Sequence, residues 1–418
     1  MNLRGRTLFS LLLAACLLAL AAPATFAAKG LEIAAQDDEQ FLSDHGEIRA
    51  AAFTHARALG VSSLRANVSW SRVVDQPTSR TAPAQPLYDF TRYDRLITES
   101  ALHGIRVQLT LAGPAPAWAT GNHRVGTDRV SPARYAAFTA AVARHFSGRV
   151  RAVSIWNEPN WHGLLKPERL CGKVTKTKKV KVKVKGKNKK VVKRKKVKRK
   201  VCVKTSARRY RALYRAAYTS IKRVAPTMPV WIGETNPYVN RRKQSTAPLA
   251  WLRQLICVDG VVKGCKGTLR ADGYAHHPYA FDRAPNKPRK ARDEITLANI
   301  GKLSKVLRKQ RKRIRVVRNS LYLTEFAYYS TGPNAQTEKK RAAWTRQAFE
   351  LALKAPNVRQ LLYYQLVDPA MTKMFRTGLI TLQGAKHPAY NALTSFYSVR
   401  RAKLTVPQAP FAVPPPPF

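Results

Sequence analysis

Two glutamates sit where a carboxylate can do chemistry. Val150 to Asn160 reads Val-Arg-Ala-Val-Ser-Ile-Trp-Asn-Glu-Pro-Asn, and Ser320 to Ser330 reads Ser-Leu-Tyr-Leu-Thr-Glu-Phe-Ala-Tyr-Tyr-Ser. In each, a short apolar run suited to a buried strand breaks off at a Glu. Pro159 prevents the first run from continuing as a central strand, so Glu158 is held at a strand exit beside Trp156 and Asn157. Glu325 occupies the exit of the second run. A protonated carboxyl and an ionised one, flanking a sugar, can cleave a glycosidic bond. A separation of about 5 to 5.5 Å gives retention of configuration, and roughly 6.5 to 9.5 Å gives inversion. A lone Glu at a strand exit more often caps a helix or pairs with an Arg; Trp156, Asn157 and Pro159 around Glu158, and the matching Glu325, favour chemistry. Two other exit carboxylates are weaker candidates. Glu234 follows Val230 to Gly233 with no Asn or Trp before it, and Asp368 precedes Pro369, which suits a turn.

The elements that must position this pair alternate strand with helix. Strands are expected near Leu31–Ala35, Ser63–Val68, Ile105–Leu111, Val150–Trp156, Val230–Gly233, Gly273–Ala275, Leu321–Phe326 and Val358–Leu366. Amphipathic helices are expected between them at about 47–59, 90–102, from Ser131 to Gly148, from 205 or 206 to Pro226, 248–258, 292–311 and 337–354, with a last one at 388–397. Ser131 is a natural N-cap, with Pro132 at the first turn. Eight such pairs predict an α/β chain with one (β/α)8 barrel over residues 28–404, whose active groups gather at the C-terminal ends of the strands. The alternative, an open doubly wound sheet, usually carries a Gly-rich phosphate loop after its first strand; Ala34 to Gln40 contains no Gly.

The ends and the charge add context. Arg4 and Arg6, the apolar stretch Leu8 to Leu20 and the small residues before Ala27 predict a secretory signal peptide over 1–27. Leu13-Ala14-Ala15-Cys16 resembles a lipoprotein processing site, but the apolar run continues past Cys16. No later segment holds the roughly 20 apolar residues of a membrane span. Residues 405–418 form a Pro-rich tail. The chain of 418 residues carries 76 Lys and Arg against 23 Asp and Glu, a formal charge of +53. Much of that charge lies between Lys173 and Lys204. There Val and Lys alternate on both sides of Gly186-Lys187-Asn188, predicting a β-hairpin inserted at 172–201, with a solvated disordered loop as the alternative. Either form places positive charge at the mouth of the site and favours an anionic neighbourhood, whether cell-wall polymer, acidic polysaccharide or a membrane surface, with the insertion tethering the protein to wall polymer or steering an acidic substrate. No nucleic-acid-binding motif accompanies the charge. Without Cys16, four cysteines remain, and the local pairing Cys171–Cys202 with Cys257–Cys265 is expected. No His stands at metal-ligand spacing from them.

Trp156-Asn157-Glu158-Pro159-Asn160 with the later Thr324-Glu325-Phe326 resembles glycoside hydrolase clan A, the retaining (β/α)8 hydrolases, and is most similar to the families around 39 and 5. The likeness runs from about residue 31 to 398, outside the insertion. It implies Glu158 as acid/base and Glu325 as nucleophile, Asn157 at the sugar 2-hydroxyl, and Arg65 on the second strand orienting the nucleophile. His277 and Tyr279 match the sixth-strand pair, with Tyr279 facing the nucleophile. An Arg two positions after Ser63 in an apolar strand also reads as buried and paired. His277 is preferred to His276 because it shares the strand end with Tyr279. Trp70, Trp118 and Trp161 lie just past strand ends, where aromatics either stack on sugars or pack; Trp118 and Trp161 are taken as ligand-facing. The chain departs from family 5 at the eighth strand, where Tyr363-Tyr364-Gln365 replaces a Trp and Gln365 lies nearest. It departs again at the third, where Gly113 to Trp118 holds no His.

The expectation is therefore a secreted or wall-associated monomer that hydrolyses O-glycosidic bonds of a carbohydrate, β-linked by resemblance, with no metal or organic cofactor. The rival is a non-catalytic wall-binding barrel that uses the basic insertion. A third reading is transglycosylation on the same two residues.

Overall fold

The computed structural model describes residues 30–183, 190–239, 245–260, 265–370 and 375–402. The expected signal peptide, the Pro-rich tail and the Gly186–Asn188 break lie outside the described residues. The strands are β1 (Glu32–Gln36), β2 (Ser63–Ser69), β3 (Arg106–Ala112), β4 (Ala152–Ile155), β5 (Arg169–Lys183), β6 (Lys190–Lys204), β7 (Val230–Thr235), β8 (Leu269–Ala271), β9 (Gly273–His276), β10 (Ile314–Val316), β11 (Leu321–Phe326) and β12 (Val358–Tyr364). Eight of them close a barrel in the order β1-β12-β11-β9-β7-β4-β3-β2. All eight pairings are parallel. With helices between the strands, this is the (β/α)8 barrel that the alternation predicts.

The barrel lumen is filled in layers. At the bottom, Glu32 pairs with Arg106 and Arg151, and Arg151 also donates to Gln360 at 3.0 Å. Above them Trp231 and Tyr322 stack with ring centroids 3.7 Å apart, packed with Ala152 and Ala275. Burying rings of this size stabilises by roughly 1.5–3 kcal/mol each. Gly273 leaves the room they need, since a Cβ there would stand 2.4 Å from the Tyr322 ring. The top layer is polar and forms the floor of the site.

Local sequence sets the helix ends. Ser131 accepts from the Arg134 N–H and Pro132 opens the helix Pro132–His145. Thr337 caps Glu338–Lys354 by accepting from Lys340 N. One expected helix differs: in place of a single run over 292–311, the helix is Ile300–Lys309. Thr296 and Asn299 form a reciprocal capping box that starts the turn there. Upstream, Glu294 is engaged by Val239 N and Arg289.

The insertion is an antiparallel hairpin of β5 and β6, with Cys171 directly opposite Cys202. Those two cysteines are disulfide-bonded, as are Cys257 and Cys265, matching the local pairing. Among the described residues no helix is long and apolar enough to cross a membrane.

Candidate active site

The polar floor is organised by Arg65, whose side chain is fully buried on β2. Its Nη1 donates to Glu325 Oε1 at 2.7 Å and also to Gln36 at the end of β1. Its Nη2 donates to Asn157 Oδ1 at 2.8 Å and to Glu234 Oε2 at 2.6 Å. Its Nε donates to Thr110 Oγ1 at 2.9 Å. The planar fork of the guanidinium suits this division among several acceptors. Burial opposes the charge on Arg65; the carboxylates of Glu234 and Glu325 outweigh it and hold the pKa above its ordinary value.

Glu325 is at the exit of β11, only 13% exposed. Tyr279 OH donates to its Oε2 at 2.8 Å, and His277 Nδ1 lies 3.4 Å from the same atom. Burial alone would raise the Glu325 pKa. The charges of His277 and Arg65, with hydrogen bonds from Tyr279 and Arg65, override that and hold it below the usual carboxylate range.

Glu158 follows β4. Its Oε1 accepts from Asn236 Nδ2 at 2.8 Å and stands 2.9 Å from His277 Nδ1. The backbone here is unusual: Trp156 has φ 64°, Glu158 φ 41° and Glu234 φ 47°. Non-Gly residues in the left-handed region persist where the surroundings over-determine them. Here Glu158 N donates to Glu234 O at 3.0 Å, and Trp156 Nε1 to Leu164 O at 2.6 Å. Gly233 has φ 114°, and a Cβ on it would stand 2.5 Å from Ala275 O, so only Gly fits.

One ligand atom from each of Glu158, His277 and Glu325 lies within 4.8 Å of the other two. His277 is fully buried, which opposes its charge, yet Glu325 and Glu158 raise its pKa above the ordinary imidazole value. Protonated on Nδ1, it donates towards both carboxylates. With Arg65 and Tyr279 on Glu325 and Asn236 on Glu158, this donor set holds protons between acids. The Arg65 cation at the same carboxylate disfavours a metal ion there.

The structure thus brings together Glu158, Glu325, Asn157, Arg65, His277 and Tyr279. It places the other expected residues outside this network. Trp118 is buried, edge-on to Trp70 with centroids 5.6 Å apart. Trp161 is half-buried. Gln365 is buried beside Thr377 Oγ1 at 3.5 Å. Trp70 is fully buried and stacks on Phe138. His276 turns away, bonded to Thr235 Oγ1 and Ile295 O.

Sequence reasoning missed three features. Glu234 is the buried partner of Arg65, as the ion-pair alternative for an exit Glu would have it. Asn236, two residues on, holds Glu158 and is itself fixed by Asn160. An aromatic rim borders Glu325: Tyr279 stacks on Phe281 at 4.5 Å, and Phe375 lies 4.9 Å from Tyr329 and 6.0 Å from Tyr364. The Phe and Tyr density of 279–281 and 328–329 was the available signal for that rim.

No protein-family model matches the chain, and no curated protein matches it in sequence. Solved structures do match. A family 39 glycoside hydrolase from Bacteroides cellulosilyticus WH2 aligns with a TM-score of 0.58 at 16% identity, over 89% of this chain and 64% of that one. GH5_18 from Streptomyces cattleya, in complex with GlcNAc, aligns at 0.56 and 15%, over 90% of this chain and 82% of that one. A monomeric beta-xylosidase from Caulobacter crescentus CB15 aligns at 0.53 and 15%, over 88% and 68%. The chain thus spans just under two thirds of the Bacteroides enzyme. At these identities the likeness is one of fold: this barrel is the one that family 39 and family 5 glycoside hydrolases use.

Proposed function

We propose that the protein is a retaining glycoside hydrolase in which Glu325 is the nucleophile and Glu158 the acid/base. The observation that carries this reading is the approach of the two carboxyl groups, with oxygens within 4.8 Å across His277. That spacing suits direct attack and leaves no room for the water that inversion requires. In the first step a Glu325 oxygen bonds to the anomeric carbon. The bond to the leaving oxygen breaks, and Glu158 gives that oxygen its proton. In the second, Glu158 takes a proton from water, the water oxygen bonds to the anomeric carbon, and Glu325 leaves as a carboxylate.

The surrounding groups support these roles. Arg65 and Tyr279 hold Glu325 ionised and oriented. Because Asn157 Oδ1 accepts from Arg65, its NH2 remains to donate to a sugar hydroxyl. Trp161, half-buried just past Glu158, is assigned to the outer carbohydrate site, whereas Trp118 and Gln365 are buried and are not. Glycosidases among the structural neighbours support the reaction class, and the β linkage follows the beta-xylosidase likeness.

The two disulfides suit an exported, wall-associated protein. The β5–β6 hairpin, with no acidic residue between Arg169 and Lys204, suits an anionic cell-wall polymer. Deleting 172–201 is expected to abolish low-salt binding to cell walls. The reaction itself is tested by measuring reducing ends released from β-glucans, xylan, mannan and bacterial exopolysaccharides by wild type, Glu325→Gln and Glu158→Gln. Turnover that both substitutions remove at unchanged Tm supports the mechanism. Binding without turnover by wild type across the panel supports the wall-binding alternative.

A further inference from the structure

Glu234 has no access to a substrate. Its side chain is 0% exposed, and its oxygens are spent inside the barrel. Oε2 accepts from Arg65 Nη2 at 2.6 Å, while Oε1 accepts from Gln108 Nε2 at 3.0 Å and Thr110 Oγ1 at 2.9 Å. The same guanidinium reaches Glu325 through Nη1 at 2.7 Å. One buried cation is therefore divided between an internal carboxyl group that meets no substrate and the carboxylate that attacks. Paired with Glu325 alone, Arg65 would stabilise the ionised ground state. That charge is lost on attack, so the stabilisation would raise the barrier.

We propose that Glu234 is a charge-sharing positioning residue: it anchors Arg65 from beneath the site and takes up part of its charge, leaving Glu325 oriented but still nucleophilic. This rests on the two-carboxylate reading above. The groups facing Glu325 are Arg65 from β2, Glu158 beyond β4, His277 and Tyr279 beyond β9, and Tyr364 from β12, with Asp38 further off beside Gln36. Those facing Glu234 are Arg65, Tyr135 and Tyr210.

The test is the pH profile of kcat/KM on an aryl β-glycoside for Glu234→Gln, with Tm as a folding check. The amide keeps one acceptor for Arg65 and removes the charge. Arg65 then acts on Glu325 alone, so the acid limb moves down by about one pH unit, and kcat falls on the order of 10-fold. A purely structural anchor gives the opposite sign: Arg65 drifts, Glu325 loses its cation and the acid limb moves up. An upward or unmoved limb overturns the proposal. Should Glu234→Gln not fold, Gln108→Leu reads the same balance. Gln108 Oε1 is buried without a partner among the described residues, so Leu removes an unsatisfied atom there. With Gln108 gone, Glu234 draws more on Arg65, and the acid limb moves up; an unmoved limb again overturns the proposal. Labelling by an epoxide sugar mimic separates the two levels. Wild type that is neither active nor labelled at Glu325 refutes both readings, whereas labelled wild type with an unmoved Glu234→Gln limb refutes only this one.

Discussion

His277 Nδ1, just past β9, stands 2.9 Å from Glu158 Oε1, just past β4. The imidazole also faces Glu325, and its charge is the largest influence lowering the Glu325 pKa. Replacing His277 with Ala removes that cation. The Glu325 pKa then rises, so the acid limb of kcat/KM moves to higher pH, and the rate falls by roughly 10² to 10³. A pH–rate series on an aryl glycoside checks this; an acid limb that stays put would separate His277 from Glu325.

Arg65→Lys is expected to be severe in both activity and stability. A single ammonium cannot reproduce a fork that serves Gln36, Thr110, Asn157, Glu234 and Glu325 together. If the ammonium stays with Glu325, Glu234 is left as a buried charge without its partner, a loss of about 3–5 kcal/mol. Denaturant unfolding should report a loss of that order, and kcat/KM should fall on the order of 10²-fold. Wild-type stability in Arg65→Lys would show that the Glu234 pair contributes little.

The aromatic rim makes a separate prediction about substrate. Phe375 is 36% exposed and joins Tyr329, Phe281 and Tyr279 in one apolar surface beside Glu325. Phe375→Ala should raise KM for an oligosaccharide by roughly 5- to 10-fold through the loss of about 1 kcal/mol of stacking, with kcat for an aryl monosaccharide little changed. Equal loss on both substrates would place Phe375 in the structure of the site and not on the sugar.

Much of this was legible in the sequence, for identifiable reasons. β11 runs from Leu321 to Phe326 as read, because a buried parallel strand is a continuous apolar run and its exit is marked by a charge. Ser131 and Pro132 announce their helix chemically. The cysteine pairing followed from two short separations. The 292–311 region misled because apolar spacing continues through it, while Thr296 and Asn299 cap a later start. Glu234 was harder: its role depends on which carboxylate Arg65 meets from below, and that is a matter of barrel register. Likewise, nothing near Trp118 in sequence says that Trp70 will cover it.

The hairpin's register predicts an unusual salt response. In the register of the ladder Lys173 stands directly opposite Lys200. Like charges directly opposite destabilise a ladder, and salt screens exposed charges over about 10 Å at 0.1 M. Amide hydrogen exchange in β5 and β6 should slow as NaCl rises from 10 mM to 0.5 M, while the barrel strands stay unchanged. Reducing Cys171–Cys202 should speed exchange in the hairpin at every salt concentration. Exchange that is indifferent to salt would mean that charge repulsion does not strain the ladder.

Asp37 supplies a pH dependence unconnected with catalysis. It closes the barrel seam between β1 and β12, accepting from Leu366 N at 3.1 Å, Val367 N at 3.0 Å and Gln40 N at 3.2 Å. Burial nevertheless pushes its pKa up to about 7 from 3.8, against the Val367 and Gln40 amides that favour the anion. A carboxyl that binds its proton more tightly when folded contributes its full stability below about pH 4, and that contribution is lost as pH rises through 7. The span of about 3 units corresponds to at most ~4 kcal/mol. Asp37→Asn cannot ionise and keeps an acceptor oxygen for the amides. Its unfolding free energy should therefore decline less than that of wild type between pH 4 and 8. Glu325 acts in the opposite sense, its stabilisation being lost on acidification, but it is common to both proteins and cancels in the difference. Parallel curves for the two would mean that the three backbone donors hold Asp37 ionised throughout.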